Sequence, residues 1–410
     1  MEYKGVEYLR EKLRHHRTRV NVRYKYYEMK NVARDMDIST PAGLRHWFGA
    51  LGWCSKAVDS LADRLIFREF SNDTFDLNGI YALNNPDILF DSAILGALIS
   101  SCNFIYISQD EDGFPRLQVL DGSRATGIID PITGMLYEGY AVLEEHDNRE
   151  PAVEAYFLPG STTYLYKDER AQLVGEDVVE NVAEYPLLVP MIFRPDARRP
   201  FGHSRISRAC MSITNSALRT VKRSEITSEF YSFPQKWVSG LAQDVEIDTW
   251  KATISSMIKV TKDADGDRPT FGQFTQQSME PHVAELKMFA GLFAGETGLT
   301  LDDLGFSTNN PASAEAIKAQ HENLRLTARK AQRTFGSGLL NAGFLAACLR
   351  DNYTYRRNQV YLTVPKWEPI FEPDAAVLSS IGDGAIKLNQ AVPGFIGYGN
   401  LRDLTGIEGE

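Results

Sequence analysis

The first third of the chain carries hydrophobic residues at helical spacing. Apolar residues recur every three or four positions over 44–65, which predicts one helix with a buried face. Thr40 and Pro41 precede this run and suit the cap and the first turn of that helix. A second apolar pattern begins at 85–87 with another proline at the first helical position. The pattern therefore predicts two core-forming helices.

From Asn103 the pattern changes to short runs rich in β-branched and aromatic residues. Turn dipeptides such as Asp112-Gly113 separate the runs, and this arrangement predicts an antiparallel sheet with short hairpins. Four prolines follow within 181–202, which favours an extended connector over a helix. The predicted strands lie within 103–110, 115–121, 125–130, 138–146, 152–158 and 162–168.

Helical spacing returns in the second half of the chain. A long helix is predicted from about Ser204 to Phe230, a second from Met279 to Thr297, and a third through 317–339. A short segment of mixed pattern separates the first two, and a polar loop over 301–312 separates the last two. Two short helices follow Pro373, with a Pro-Gly pair between them. The whole pattern predicts an α+β fold that is mainly helical.

Composition and charge limit what this fold can do. A chain of 410 residues with 43% hydrophobic residues can bury a substantial core and has the length of two to three domains. Its 44 Lys and Arg against 54 Asp and Glu give a net charge of −10. A protein that grips phosphates over a broad surface needs clustered cations, so any contact with DNA is expected to be loose or local.

The cysteines and the N-terminus indicate a chain made in the cytoplasm. The first twenty residues are charged and contain no apolar stretch typical of a secretion signal or a membrane span. The four cysteines are far apart and lie in apolar or helical patterns, so we predict buried thiols and neither disulfides nor a metal pair. They are Cys54, Cys102, Cys210 and Cys348.

Catalytic signatures are missing from the sequence. It contains no phosphate-binding loop of the GxxxxGK[ST] type, no HExxH and no GxSxG. The acidic run 263–267 is similar to a calcium loop, but its glycine comes too early and Phe274 replaces the closing glutamate, so a hairpin turn is favoured. His203, His282 and His321 are far apart and have no acidic or cysteine partner at ligand spacing, and a solvated helix face is favoured over a ligand pair for His15 and His16. We therefore expect neither enzymatic activity nor a cofactor.

Four segments of the sequence together carry a family resemblance. In chain order they are Tyr24–Lys30, residues 51–65 (with Trp53, Val58, Asp59, Arg64 and Leu65), residues 201–218 and residues 310–319. They resemble, in the same order, four parts of the portal protein, or head-to-tail connector, of tailed double-stranded-DNA bacteriophages. These parts are the N-terminal tyrosine-pair motif, in which glycine is usual where Met29 stands, the tryptophan-then-Val-Asp helix, the entrance to the first stem helix, and the end of the tunnel loop with the helix after it.

The resemblance implies the portal fold, which has a wing with an antiparallel sheet, a two-helix stem, a small α/β clip and a short helical crown. Its parts would be the wing (1–204), stem helix 1 (205–231), the clip (232–278), stem helix 2 (279–301), the tunnel loop (302–312), a wing helix with a return strand (313–372) and the crown (373–410).

The resemblance also implies the function. A portal is a ring, usually of twelve copies and sometimes of thirteen when made alone, at one capsid vertex of the virion, and double-stranded DNA passes through it during packaging and ejection. Its partners are the terminase large subunit, a head-tail adaptor, and the major capsid and scaffolding proteins, with no membrane. Assembly takes place in the host cytoplasm, and the terminase supplies the energy. Twelve copies of charge −10 would carry about −120, which repels phosphates within a Debye length of roughly 8 to 10 Å.

The resemblance carries candidate residues for two sites. The tunnel loop would present Asp302, Asp303, Ser307, Thr308, Asn309 and Asn310 to the DNA. An equal alternative is that the two aspartates only cap a helix. The clip would bind partners through Phe233, Lys236, Trp237, Phe271 and Phe274, although an internal clip core would use the same aromatic residues.

Two other classes of protein compete with the portal. Another head-tail connector or minor capsid structural protein is disfavoured because such chains seldom contain the order stem, clip, stem. A nuclease or motor predicts paired carboxylates on strands or a phosphate loop, and neither pattern is found in the sequence.

Overall fold

The fold belongs to the α+β class, which confirms the class expected from the pattern. It is taken from a computed structural model. The model describes residues 3–33, 49–232, 236–239, 270–273, 278–306, 319–371, 373 and 375–407, except for the side chains of 229–238, 271 and 273. Thr40, Pro41, the acidic run 263–267, Phe233, Phe274 and residues 307–310 lie outside these ranges.

The described residues of the N-terminal part form four helices. They are α1 (Val6–Tyr27), α2 (Trp53–Ala62), α3 (Leu77–Ala82) and α4 (Pro86–Ser100). The start predicted for α4 is confirmed, since Asn85 is its N-cap. Part of the long helix predicted over 44–65, namely 44–48, lies outside the described residues. In the described part the prediction is too long at both ends, since α2 covers only 53–62. Gly52 precedes the first turn of α2, and Leu65 is buried from the turn that follows the helix, so its apolar spacing reflects core contact without helical backbone.

The predicted strands are present, but they form two sheets instead of one. Three strands pair in the order β3 (Pro115–Leu120), β2 (Cys102–Gln109) and β9 (Leu188–Ile192). The connector predicted over 181–202 therefore contains a strand, and β9 is buried because it pairs with β2 against the core. The second sheet has five strands in chain order: β4 (Ala125–Ile129), β5 (Leu136–Glu145), β6 (Pro151–Leu158), β7 (Ser161–Lys167) and β8 (Leu173–Glu180).

Long helices dominate the second half. The helices predicted near 204–230, 279–297 and 317–339 are confirmed as α5, α6 and α7, and the pair after Pro373 as α8 and α9. Strands β10 and β11 pair between α5 and α6, and β12 pairs with β1. The bounds are β1 (Phe67–Ser71), α5 (Arg208–Ser232), β10 (Lys236–Ser239), β11 (Thr270–Gln273), α6 (Glu280–Thr297), α7 (Glu322–Arg350), β12 (Val364–Trp367), α8 (Ala375–Ala391) and α9 (Tyr398–Thr405).

One large core joins these elements, and α7 runs through it. The second half of α7 is buried on nearly every side, which explains its run of Ala, Leu, Gly and Phe. The rings of Phe335 on α7 and Phe193 stack at 6.2 Å and are both fully buried. Gly338 lets α7 approach β9, since a Cβ there would lie 2.6 Å from the Sδ of Met191. No helix among the described residues has the length and apolarity needed to cross a bilayer.

A buried ionic network fastens α1 to the five-stranded sheet. The Glu154 carboxylate on β6 is 1% exposed and pairs with the guanidinium of Arg10 on α1 and with Lys167, whose Nζ lies 2.8 Å from Glu154 Oε1. Burial alone raises the pKa of Glu154, but hydrogen bonds from Arg10, Lys167 and Tyr140 outweigh it and lower the pKa below its usual value. The carboxylate is therefore held ionised.

Candidate functional site

Helices α5 and α6 pack side by side, and we refer to them as the helix pair. The two helices contact each other, and the core includes Ala217 of α5 with Ala290 and Phe293 of α6, all of which are buried. Farther along, Thr227 Oγ1 lies 3.2 Å from His282 Nε2, which joins the two helices again. The pair is a continuous two-helix element.

Helix α2 supports one end of the helix pair. The ring of Trp53, the first residue of α2, lies 5.6 Å from the ring of Phe293. The next residue, Cys54, places its sulfur 3.4 Å from the hydroxyl of Thr214 on α5. Both aromatic side chains are buried, and contacts of this kind each add about 0.5–1.5 kcal/mol beyond the burial itself.

The end of α1 reaches the same place through polar side chains. Asn215 of α5 donates from Nδ2 to the Tyr26 hydroxyl at 2.7 Å and accepts from Asn31 Nδ2 at 3.2 Å. The neighbouring Tyr27 donates its hydroxyl proton to Asp59 of α2 at 2.9 Å. Burial, with the Asp59 carboxylate beside it, raises the pKa of Tyr27 to about 12. Tyr27 therefore stays protonated and can donate this bond.

Arg205, a buried residue, links α2 to the C-terminal end of α6. Its guanidinium is buried and donates from Nε to the Ala57 carbonyl of α2 at 3.2 Å, and from Nη2 to the carbonyl of Thr297, the last residue of α6. Burial lowers the pKa of Arg205 to about 10, so the group remains charged at neutral pH. A cation at the C-terminus of a helix is stabilised by the unpaired carbonyl groups there.

Three of the segments that carry the family resemblance thus meet in space. We define the anchor cluster as Tyr26, Tyr27, Asn31, Trp53, Cys54, Asp59, Arg205, Thr214, Asn215, Phe293 and Thr297. It sets the direction in which the helix pair leaves the core. The sequence indicated the motifs one at a time but not Arg205 as their link, because this link depends on contacts with Ala57 and Thr297, which are distant in the chain.

The tunnel-loop candidates that the structure describes have different roles. Asp303 accepts two hydrogen bonds from Thr300, from its N–H at 2.8 Å and its hydroxyl at 2.9 Å, and the Thr300 hydroxyl accepts from the Asp303 N–H at 3.1 Å. These reciprocal bonds join Thr300 to the 3-10 helix Asp302–Leu304, whose N-cap is Leu301. Asp302 beside it is exposed. Ser307, Thr308, Asn309 and Asn310 lie outside the described residues.

The clip candidates lie at a short two-stranded ribbon. Lys236 and Trp237 belong to β10, and Phe271 belongs to β11, with Trp237 opposite Gly272 in the antiparallel register. The other two, Phe233 and Phe274, lie outside the described residues. The ribbon connects the far ends of the helix pair, so it lies at the opposite end from the anchor cluster.

The cysteines carry no reactive chemistry. All four thiols are buried and free, as the sequence predicted. Burial raises the pKa of Cys54 to about 12 and that of Cys348 to about 11, so both are protonated and poorly nucleophilic at neutral pH. No group of three or more His, Cys, Asp or Glu that could hold a metal ion occurs in the part of the chain that the structure describes.

Comparison with known proteins gives the class of protein. No family model matches the chain. The chain is 24% identical over 340 residues to the portal protein of Mycobacterium phage D29, which covers 78% of this chain and 69% of that protein. It is 23% identical over 330 residues to the portal protein of Mycobacterium phage L5, covering 76% and 67%. The chain is thus a homologue of phage portal proteins, and the resemblance seen in its sequence is confirmed.

Solved structures of phage-like necks are also similar. The chain aligns with one from the "Neck of native GTA particle computed with C12 symmetry" at a TM-score of 0.45 and 13% identity, covering 87% of this chain and 90% of the other. A chain from the "Neck of empty GTA particle computed with C6 symmetry" gives the same TM-score at 14% identity, covering 92% and 96%.

Proposed function

We propose that the protein is the subunit of a portal ring that forms a channel for double-stranded DNA at one vertex of a phage capsid. The observation that carries the proposal is the meeting of three portal-like segments in the anchor cluster, in a chain homologous to two portal proteins over three quarters of its length. An anchor that fixes the direction of two long helices is what a ring needs if each copy is to contribute the same helices to one wall.

In this proposal the helix pair is the stem and the β10–β11 ribbon is part of the clip. The wing comprises the N-terminal helices and both larger sheets, and α8 and α9 are the crown. Asp302, at the exposed start of the 3-10 helix, would be repeated around the axis, together with the polar tunnel loop after it. Because each copy has a net charge of −10, DNA would be repelled by the ring as a whole and would slide through it.

The exposed side of α6 would pack against the neighbouring copy. Met288 and Leu292 are each more than half exposed, and helical spacing places them on one side of the helix with Gly291 and Gly295. A Cβ at either glycine would meet nothing within 4 Å, so this side of α6 is open in the single chain. Exposed apolar side chains beside small residues are suited to close helix contact. Closing the ring would bury them.

The remaining partners follow from this placement. The clip would bind the terminase large subunit during packaging and a head-tail adaptor afterwards, and the wing would contact major capsid and scaffolding proteins. The protein would be assembled in the host cytoplasm and remain in the virion. Trp237 and Phe271 supply aromatic residues on the ribbon, which suits an interface.

Native mass spectrometry of the purified full chain tests the proposal. Twelve copies of the 46.0 kDa chain give a particle of about 550 kDa, and thirteen give about 600 kDa. The test variant is Leu292→Ala, which removes an exposed side chain and is expected to lower the fraction of large particles. A chain that stays monomeric at every concentration and salt would contradict the ring. A small closed ring of fewer than ten copies would favour another head-tail connector.

A further inference from the structure

A basic cavity lies between α1, the start of β4 and the segment 198–202. Its volume is about 460 Å³, and its lining includes Arg19 and Arg23 of α1 and Arg198 and Arg199 of the segment. No Asp or Glu among the described residues lines it. Val20 and Phe201 give the cavity an apolar wall. We refer to it as the basic cavity.

The cations of the basic cavity are close enough to repel one another. Burial lowers the pKa of Arg23, and the charges of Arg19 and Arg199 lower it further. Burial also lowers the pKa of His16, followed by the charges of Arg19 and Lys12. A concave site with several like charges is destabilised unless anions enter it. Carboxylates are suitable anions, since guanidinium groups bind them with two parallel hydrogen bonds.

An acidic edge lies elsewhere on the same chain. Strand β8 is the last strand of the five-stranded sheet, and seven of its eight residues are exposed. Glu176, Asp177 and Glu180 take part in no ion pair among the described residues. Between them stand Val178 and Val179, 55% and 46% exposed. An exposed edge strand with apolar side chains is an unprotected surface unless something covers it.

The basic cavity and the acidic edge lie at opposite edges of one sheet. The cavity includes Ala125 and Thr126 of β4, the first strand, whereas the acidic edge is β8, the fifth. Four strand spacings of about 4.8 Å separate the two edges by roughly 19 Å. Complementary surfaces on opposite sides of a subunit produce head-to-tail contacts, which close into rings when the rotation fits. A two-fold contact of either surface with itself would oppose like charges.

We propose that the acidic edge of one copy docks at the basic cavity of the next copy around the ring. Glu176 and Glu180, which lie on one face of β8, meet the arginines at the mouth of the cavity, and Val178 on the same face covers the apolar wall at Val20 and Phe201. This inference rests on the proposed ring and adds to it a specific contact between neighbouring wings. The contact explains how a chain of net charge −10 avoids repulsion at this interface.

Charge reversal on each surface, followed by exchange, tests the contact. The first variant combines Arg19→Glu and Arg198→Glu, and the second combines Glu176→Lys and Glu180→Lys. All four side chains are exposed, so the fold is retained, and circular dichroism checks this. Each variant is expected to lower the fraction of chains in rings at least tenfold, measured by native mass spectrometry. The variant with all four changes restores the contact with reversed signs and is expected to regain rings.

The control reverses two exposed carboxylates away from both surfaces, Glu111→Lys with Asp112→Lys, and is expected to form rings as the wild type does. Rings that form normally in either single-surface variant would overturn the contact and leave the ring itself in place. A wild-type chain that forms no ring would instead contradict the proposed function. Loss of binding to a short DNA duplex in the arginine variant, with rings unchanged, would show that the cavity binds phosphates and would also overturn the contact.

Discussion

Two neighbouring residues of α6 separate the stability of the chain from the stability of the ring. Phe293 is fully buried against Trp53, whereas Leu292, the residue before it, is 55% exposed. We predict that Phe293→Ala destabilises the single chain and that Leu292→Ala leaves it nearly unchanged. For ring formation we predict the opposite order: Leu292→Ala weakens the contact between copies more than Phe293→Ala does. In the proposed ring the next copy covers Leu292, whereas Phe293 makes its contacts within one chain.

The size of the first effect follows from burial. Replacing a fully buried phenylalanine by alanine costs about 3–5 kcal/mol of unfolding free energy, because apolar transfer is lost and a cavity is left. An unfolding entropy of about 2.1 cal/mol/K per residue gives about 0.9 kcal/mol/K for 410 residues, so the Tm falls by about 4–6 °C. Leu292→Ala is a surface change and stays within about 0.5 kcal/mol.

Urea denaturation followed by tryptophan fluorescence measures both variants, since Trp53 adjoins Phe293 and reports on the anchor cluster. The measurement is made at a protein concentration at which mass spectrometry shows single chains. Ring formation is then compared at higher concentration. The reasoning is refuted if Phe293→Ala costs less than about 1 kcal/mol, or if Leu292→Ala costs as much as Phe293→Ala in the single chain.

Three further substitutions test the structure at other places. Glu154→Gln is expected to cost about 3 kcal/mol in urea at pH 7, and, because the folded carboxylate has a lowered pKa, the difference from wild type should shrink as the pH falls below about 4.5. Arg205→Met removes the donor of two backbone carbonyl groups and should cost about 2 kcal/mol by the same assay. Gly202→Ala should cost more than about 2 kcal/mol of unfolding free energy, since the φ of Gly202 is +73° and a Cβ there would lie 2.1 Å from the Phe193 carbonyl oxygen. Its control is Gly113→Ala, at φ +80° in open space, which should cost only the backbone strain of about 1 kcal/mol.

Local pattern was enough to predict most strands of the two larger sheets and the helix pair. The strands over 103–168 were predicted to within a few residues because alternating side chains and turn dipeptides are local signals. Strand β9 was missed because two prolines flank or interrupt it; it lies at the edge of its sheet, paired with β2, and an edge strand tolerates a proline. Strand β8 was missed because its exposed residues show no alternation of buried and polar positions.

The candidate site was only partly predictable, since it depends on contacts between distant segments. The tyrosine and tryptophan motifs were recognised from the sequence, but the contact of Asn215 with Tyr26 joins positions 189 residues apart. The role of Asp303 was left open between channel lining and capping a helix or solvating a loop, and its bonds to Thr300 are short-range contacts that do not decide between them. The assignments of wing, stem, clip and crown remain predictions, because a single chain does not define which side faces the axis.

Cryo-electron microscopy of the purified full-length protein tests the central claim most directly. The account predicts end-on views of a ring of twelve or thirteen wedges around an open hole wide enough for duplex DNA. It also predicts helix pairs beside the hole, with β8 of each copy against the basic cavity of the next. A particle without a central hole, or single chains under every condition of concentration and salt, would contradict it.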